Sequence, residues 1–186
     1  MDEQHEPADE TSIALPDAQT LYVVFGPPGV GKSTVAQELA DRLNAEYERT
    51  DQIRHDLVTE PTYNPEETAL VYNELLDRAR AELNDGRAVV IDGTFSNAQY
   101  RDRAYGLSQL TDSHYQALFV WCDKATVKDR MATRDGVSDA DFAVHESIKQ
   151  DFDTIAQPYV MIDNSRDLEH TFAQLDPVVG AGIDIE

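Results

Sequence analysis

One short segment limits what this chain can fold into more than any other feature. Gly26-Pro27-Pro28-Gly29-Val30-Gly31-Lys32-Ser33 follows the apolar run Leu21 to Phe25 and precedes Val35, Leu39 and Leu43, which recur at the spacing of one helical face. A strand, a glycine-rich turn and a helix in that order are the context that the G-x-x-x-x-G-K-S/T pattern requires. In such a turn the glycines let consecutive amide groups point inward as an anion nest, and the positive end of the following helix adds to it. The pattern therefore predicts a phosphate loop for ATP. Lys32 is expected to reach the β- and γ-phosphates, and the Ser33 hydroxyl to coordinate magnesium. The binding segment comprises Gly26, Pro27, Pro28, Gly29, Val30, Gly31, Lys32, Ser33 and Thr34.

The rest of the chain alternates between the same two kinds of segment. Strand-like runs cover Leu21 to Phe25, Ala88 to Ile91, Ala117 to Trp121 and Tyr159 to Ile162, with Glu46 to Arg49 a weaker fifth. Continuous apolar runs of this kind suit strands covered on both faces. Ala69, Tyr72, Leu76, Ala79 and Leu83 mark a long helix that Pro65 opens and Gly86 closes. Further helices are expected over Ala98 to Leu110, over Ala125 to Arg134, from the cap Ser138 onward, and over Asp167 to Leu175. Strands alternating with helices imply an α/β fold on a parallel sheet. With 186 residues, 41% of them hydrophobic, the chain can bury the core of one domain, placed at residues 20–176. Residues 1–19 read as an acidic, disordered leader and residues 177–186 as a short tail.

Three further places carry candidate chemistry. Thr50-Asp51-Gln52-Ile53-Arg54 closes the second strand, which puts Asp51 at the carboxyl edge of the sheet, where open α/β folds bind ligands. A carboxylate there can take the proton of an attacking hydroxyl, and Arg54, one helical turn on, is expected on the same face to hold the acceptor or the phosphoryl group. The bland alternative is a helix-capping aspartate with an exposed arginine. Ala88-Val89-Val90-Ile91-Asp92-Gly93-Thr94 is an apolar strand ending in aspartate, so Asp92 is expected to support magnesium directly or through water. No glutamate or glutamine follows Asp92 to orient a hydrolytic water, which favours transfer to a hydroxyl. Arg130 and Arg134 stand four apart on one helical face and can grip one phosphate chain, or else form a solvated face paired with Asp129 and Asp135. The histidines lack metal-ligand spacing and carry no assigned role.

Charge narrows the partners. Acidic residues number 36 against 15 basic ones, a formal net charge of −21, which repels polyanions unless a local basic groove intervenes. Lysine is confined to Lys32, Lys124, Lys128 and Lys149, and aspartate outnumbers glutamate. That balance resembles cytosolic proteins of extreme halophiles, in which molar salt shortens the Debye length to about 3 Å. No apolar run approaches the roughly 20 residues of a membrane-spanning helix, so a cytoplasmic protein with no membrane partner is expected. The single cysteine, Cys122, closes an apolar run and reads as a buried strand-end thiol.

Together these residues resemble the P-loop kinase group that includes polynucleotide 5′-hydroxyl kinases, gluconate kinase-like and chloramphenicol phosphotransferase-like enzymes, and kinase domains known only as AAA family ATPases. The likeness covers Thr20 to Asp163 and rests on Gly26 to Thr34, on Asp51 with Arg54, on Asp92-Gly93-Thr94-Phe95 with Arg101 and Arg103 downstream, on Arg130 with Arg134, and on Ser138-Asp139-Ala140. The resemblance implies a three-layer P-loop fold with strand order 2-3-1-4-5 and a short helical lid. It also implies Asp51 as general base and lid arginines at Arg130 and Arg134 over ATP. The implied activity is magnesium- and ATP-dependent phosphotransfer to a hydroxyl of a small acceptor. Two alternatives stand beside it. A polynucleotide 5′-hydroxyl kinase would need a basic groove from Arg54, Arg78, Arg80, Arg101 and Arg103, and a nucleotide-binding regulator or slow ATPase would need no acceptor.

Overall fold

The structure is a computed structural model that describes residues 19–132 and 139–180. Arg134 and Ser138, the leader up to residue 18 and the chain beyond residue 180 lie outside the described residues. Five strands, Thr20–Phe25 (β1), Glu46–Arg49 (β2), Val89–Gly93 (β3), His114–Trp121 (β4) and Val160–Asp163 (β5), pair in parallel in the order β2-β3-β1-β4-β5. That is the order the resemblance implied. Between the strands run Lys32–Leu43 (α1), Thr50–Leu57 (α2), Pro65–Asn84 (α3), Ala98–Leu110 (α4), Lys124–Ala132 (α5) and Asp139–Gln150 (α6), followed after β5 by Leu168–Ala173 (α7) and Asp176–Gly180 (α8).

Strand periodicity sorts the core into two halves. Tyr22, Val24 and Val90 point to one side of the sheet, where they meet Val35, Ala36, Leu39 and Leu43 of α1. Leu21, Val23, Phe25, Val89 and Ile91 point to the other, against Ile53 of α2, Val71, Leu75 and Ala79 of α3 and Leu107 of α4. Both faces of the central strands are thus covered, giving three layers and explaining why β1 and β3 read as unbroken apolar runs.

Helix starts follow local capping chemistry. Asn64 accepts a bond from the Glu67 amide with Pro65 in the first turn, Asn97 caps α4 through the Gln99 amide, and Asp167 caps α7 through the His170 amide. The structure differs from expectation at two edges. β4 begins at His114, three residues before the apolar run, because β1 extends to Thr20 and pairs with it. The segment read as a tail from Pro177 starts instead with α8, whose Val178 is buried and whose Asp176 pairs with Arg42 of α1 at 2.7 Å. Two valines in five residues were too short a pattern to register as an amphipathic helix. Among the described residues no helix is long and apolar enough to cross a membrane.

Candidate active site

The loop between β1 and α1 turns at the carboxyl edge of the sheet. Gly26 has a φ of 148°, and a Cβ on it would collide with the Val120 carbonyl of β4, so glycine is dictated by the close passage of two backbones. Lys32 opens α1 and donates to the Pro27 carbonyl at 3.0 Å. Burial lowers the pKa of its amine, while the charges of Asp92 and then Asp51 work against that shift. Both carboxylates therefore stand close enough to act on the lysine that the motif aims at phosphate.

Asp92, near the end of β3, is buried. Its Oδ2 accepts from the Ser33 hydroxyl at 2.6 Å and from the Tyr47 hydroxyl at 3.0 Å, while its Oδ1 is buried without a hydrogen-bond donor among the described residues. Burial raises the Asp92 pKa, opposed first by the Lys32 charge and then by the Ser33 and Tyr47 bonds. A hydroxyl at the head of α1 beside a carboxylate with one oxygen lacking a donor is a hard-oxygen set that fits magnesium. Among the described residues no group of three or more His, Cys, Asp or Glu side chains could hold a metal by itself. Magnesium usually binds through one or two carboxylates plus substrate phosphates, and that matches what Ser33 and Asp92 offer.

Asp51 and Arg54 come apart. The cap position of α2 is Arg49, which makes no side-chain capping bond, so Asp51 lies inside the first turn and is not the cap. Its side chain is 75% exposed and meets Arg49 at 3.5 Å. Arg54, by contrast, is buried at 7% exposure. It is ion-paired with Glu67 of α3, and the Tyr63 ring covers its guanidinium at 4.4 Å. Arg54 was expected on the face of Asp51 to hold the acceptor or the phosphoryl group; the structure instead buries its guanidinium between Glu67 of α3 and the Tyr63 ring. Glu67 in turn accepts from the Thr62 amide at 2.7 Å, the Thr62 hydroxyl at 2.8 Å and the Tyr63 amide at 3.2 Å, fixing the connection between α2 and α3.

On the far side of the loop, Arg130 of α5 reaches the Cys122 thiol at 3.6 Å and the Arg166 carbonyl at 3.3 Å. It flanks the loop glycines, since a Cβ on Gly31 would lie 3.8 Å from its Nη1. Cys122 is buried, as its strand-end position suggested, and burial raises its thiol pKa.

Residues 21–155 match the family model described as an AAA domain. The chain belongs to that AAA domain family. Over 131 residues it is 34% identical to the uncharacterized proteins Mb2027c of Mycobacterium bovis and Rv2004c of Mycobacterium tuberculosis, an alignment that covers 62% of this chain and 26% of each of theirs. The chain thus spans about a quarter of the length of the curated relatives it matches. Among solved structures it is similar to a gluconokinase from Sinorhizobium meliloti, with a TM-score of 0.66 at 15% identity over 90% of this chain and 91% of that one. The Mycobacterium tuberculosis APS kinase CysC, solved with AMPPNP and APS, gives 0.66 at 16% identity over 86% and 96%. A sugar kinase from Janibacter gives 0.62 at 18% identity over 87% and 98%. At these identities the likeness is one of fold, and the fold is that of the P-loop kinases.

Within this AAA domain four of the five arginines named for a basic groove, Arg54, Arg78, Arg101 and Arg103, have structural partners, while Arg80 is exposed. Arg78 pairs with Glu74 and Glu48, Arg103 bonds to Asn73, and Arg101 is buried with four backbone carbonyls around it, those of Phe95, Ser96, Asp153 and Thr154. Four residues at the site carried no role in the sequence reading. Tyr47 had only its strand alternation to recommend it. Glu67 stands three residues after Asn64, a capping-box spacing, yet its carboxylate serves Thr62, Tyr63 and Arg54. His145 and Asn164 meet the loop from elements that follow it by more than 100 residues, and no local pattern marks them.

Proposed function

We propose that this AAA domain is a kinase that moves the γ-phosphoryl group of ATP to a hydroxyl of a small acceptor, with Asp51 as general base. The observation that carries the reading is Asp51 itself. It is exposed at the sheet edge, it is not spent on capping α2, and its charge acts on both Lys32 and Asp92. In the proposed reaction Asp51 takes the acceptor's hydroxyl proton as that oxygen bonds to the γ-phosphorus. The bond from phosphorus to the bridging oxygen breaks, and ADP leaves with the electron pair. Lys32 and the loop amides hold the β- and γ-oxygens. Magnesium, held through Ser33 and Asp92, would neutralise charge on those oxygens that otherwise repels a nucleophile. Arg130 stands on the lid side, where a guanidinium can follow charge as it spreads over the transferring group, and Arg134 is proposed to join it.

A small acceptor is favoured over a nucleic-acid 5′-end because Arg54 and Arg78 are neutralised by carboxylates, Arg101 is buried, and the surface is strongly acidic. The gluconokinase, sugar kinase and APS kinase neighbours support phosphotransfer to a hydroxyl without naming this acceptor. The charge balance further leads us to propose a cytoplasmic protein of a high-salt organism. The test is transfer of label from γ-labelled ATP to pools of sugars, nucleosides, antibiotics and 5′-hydroxyl oligonucleotides in high salt. Label entering one of the small-molecule pools is expected. Label entering the oligonucleotides alone would replace the acceptor class. Release of free phosphate at one rate whatever the pool would replace the kinase with an ATPase or nucleotide switch.

A further inference from the structure

A loop that turns its amides inward to hold phosphate must turn carbonyls outward, and a buried carbonyl needs a donor. In this domain three carbonyls of the loop are met by side chains. Pro27 O accepts from Lys32 Nζ at 3.0 Å, Pro28 O from His145 Nδ1 at 2.6 Å, and Val30 O from Asn164 Nδ2 at 2.8 Å. His145 and Asn164 are each about 2% exposed. Because a carbonyl can only accept, the contact with Pro28 places the proton of His145 on Nδ1. The contact with Val30 likewise orients the Asn164 amide.

Asn164 is itself held. Its backbone amide donates to Trp121 O at 2.8 Å, at the end of β4, and its Oδ1 accepts from the fully buried Thr171 hydroxyl of α7 at 2.9 Å. The approach is close enough to dictate the loop's sequence. Gly31 has a φ of 91°, and a Cβ on it would collide with the Asn164 amide. His145 belongs to α6, whose next residue Glu146 pairs with Lys124, the first residue of α5, at 2.7 Å. One brace therefore comes from the residue that follows β5 and the other from α6, on the side where the helical lid is expected.

We propose that His145 and Asn164 are positioning residues that clamp the phosphate loop from outside, so that nucleotide affinity depends on two donors acting through the carbonyls of Pro28 and Val30. Without them the loop spends less time in the conformation that binds phosphate, and apparent affinity falls by the fraction lost. Because one donor rides on α6, the position of the lid and the shape of the loop are coupled. The inference rests on the phosphate-loop reading above.

The test is calorimetric binding of the β,γ-imido analogue of ATP with magnesium, alongside thermal unfolding. His145→Phe keeps a ring of similar size without a donor, and is expected to weaken binding roughly tenfold, the usual consequence of leaving a buried carbonyl unpaired. His145→Gln, whose amide can donate to Pro28, is expected to recover most of that loss. The pair Asn164→Leu with Thr171→Val removes the second brace without stranding the threonine hydroxyl. If that double variant fails to fold, the two His145 variants decide alone. Lys32→Ala is the reference. Binding lost in Lys32→Ala but unchanged in His145→Phe overturns the clamp and leaves the phosphate loop standing, whereas undiminished binding in Lys32→Ala overturns both. If His145→Phe and His145→Gln lose affinity and thermal stability in equal measure, the histidine is a packing residue and the clamp is wrong.

Discussion

Around Lys32 the structure is made mostly of main chain, whereas around Arg54 it is made of side chains that reach across sequence. The phosphate loop spans a few consecutive residues between β1 and α1, and its shape follows from glycines and a helix start. The region around Arg54 depends on Glu67 of α3, which gathers Arg54 of α2 with Thr62 and Tyr63 of the turn between the two helices. The first design binds what every P-loop protein binds. The second can differ wherever one carboxylate or ring differs. The comparison breaks if the loop proves dispensable, and it sharpens if the two regions can be disabled separately.

The largest effect is expected from Lys32→Ala. It should abolish phosphoryl transfer while leaving the fold intact, because burial already works against the charge of that amine and its bond to the Pro27 carbonyl is one contact of a loop that other side chains also hold. Wild-type turnover in this variant would remove the loop from the mechanism. Next comes Asp51→Asn, expected to leave ATP affinity within a few-fold but to slow transfer at least about a hundredfold, or roughly 2.7 kcal/mol of transition-state stabilisation. Calorimetry and turnover with the acceptor found by screening measure the two halves. Loss of ATP binding as well would place Asp51 in the magnesium shell, and transfer at the wild-type rate would make it a bystander of α2.

The contrast between the two regions also explains what could be read from sequence. The phosphate loop and the place of Asp92 at the end of an apolar strand were legible because each is encoded by neighbours in the chain, whereas the strand order came from the family resemblance and not from local pattern. Arg54 was misplaced because its partner lies 13 residues away on another helix, and a helical-face argument sees only the helix it is applied to. His145 and Asn164 went unread for the same reason at separations of 117 and 134 residues.

Salt distinguishes the cleft from the surface around it. Asp92 is buried with Lys32 and Ser33 half-buried beside it, so this group is weakly screened, while the excess of carboxylates over basic residues lies largely on the surface. Raising salt from low to molar concentration is therefore expected to raise the thermal midpoint by relieving self-repulsion. A midpoint that is flat or falls across that range would contradict the high-salt reading of the composition and leave the cleft untouched.

The smallest effect belongs to Glu67, and it tests whether the connection between α2 and α3 is held by charge. Its pKa is lowered from 4.5 to about 2, first by the Thr62 amide and then, against the cost of burial, by the Thr62 hydroxyl, Arg54 and the Tyr63 amide. A carboxylate whose folded pKa is depressed stabilises the fold above its unfolded value, and loses that contribution as pH falls toward the folded value. The gap in urea midpoint between wild type and Glu67→Gln should therefore be full near neutrality and narrow as pH drops from about 4.5 toward about 2. Acid loss of the many surface carboxylates affects both proteins alike, so the difference isolates this one. At neutral pH the same variant is expected to leave ATP affinity unchanged, because the carboxylate bonds of Glu67 go to Thr62, Tyr63 and Arg54 and not to the phosphate loop. A gap that stays constant across that pH window would mean that Glu67 holds Thr62 and Arg54 by shape and hydrogen bonding rather than by charge, and the two regions would then differ in residue order but not in kind.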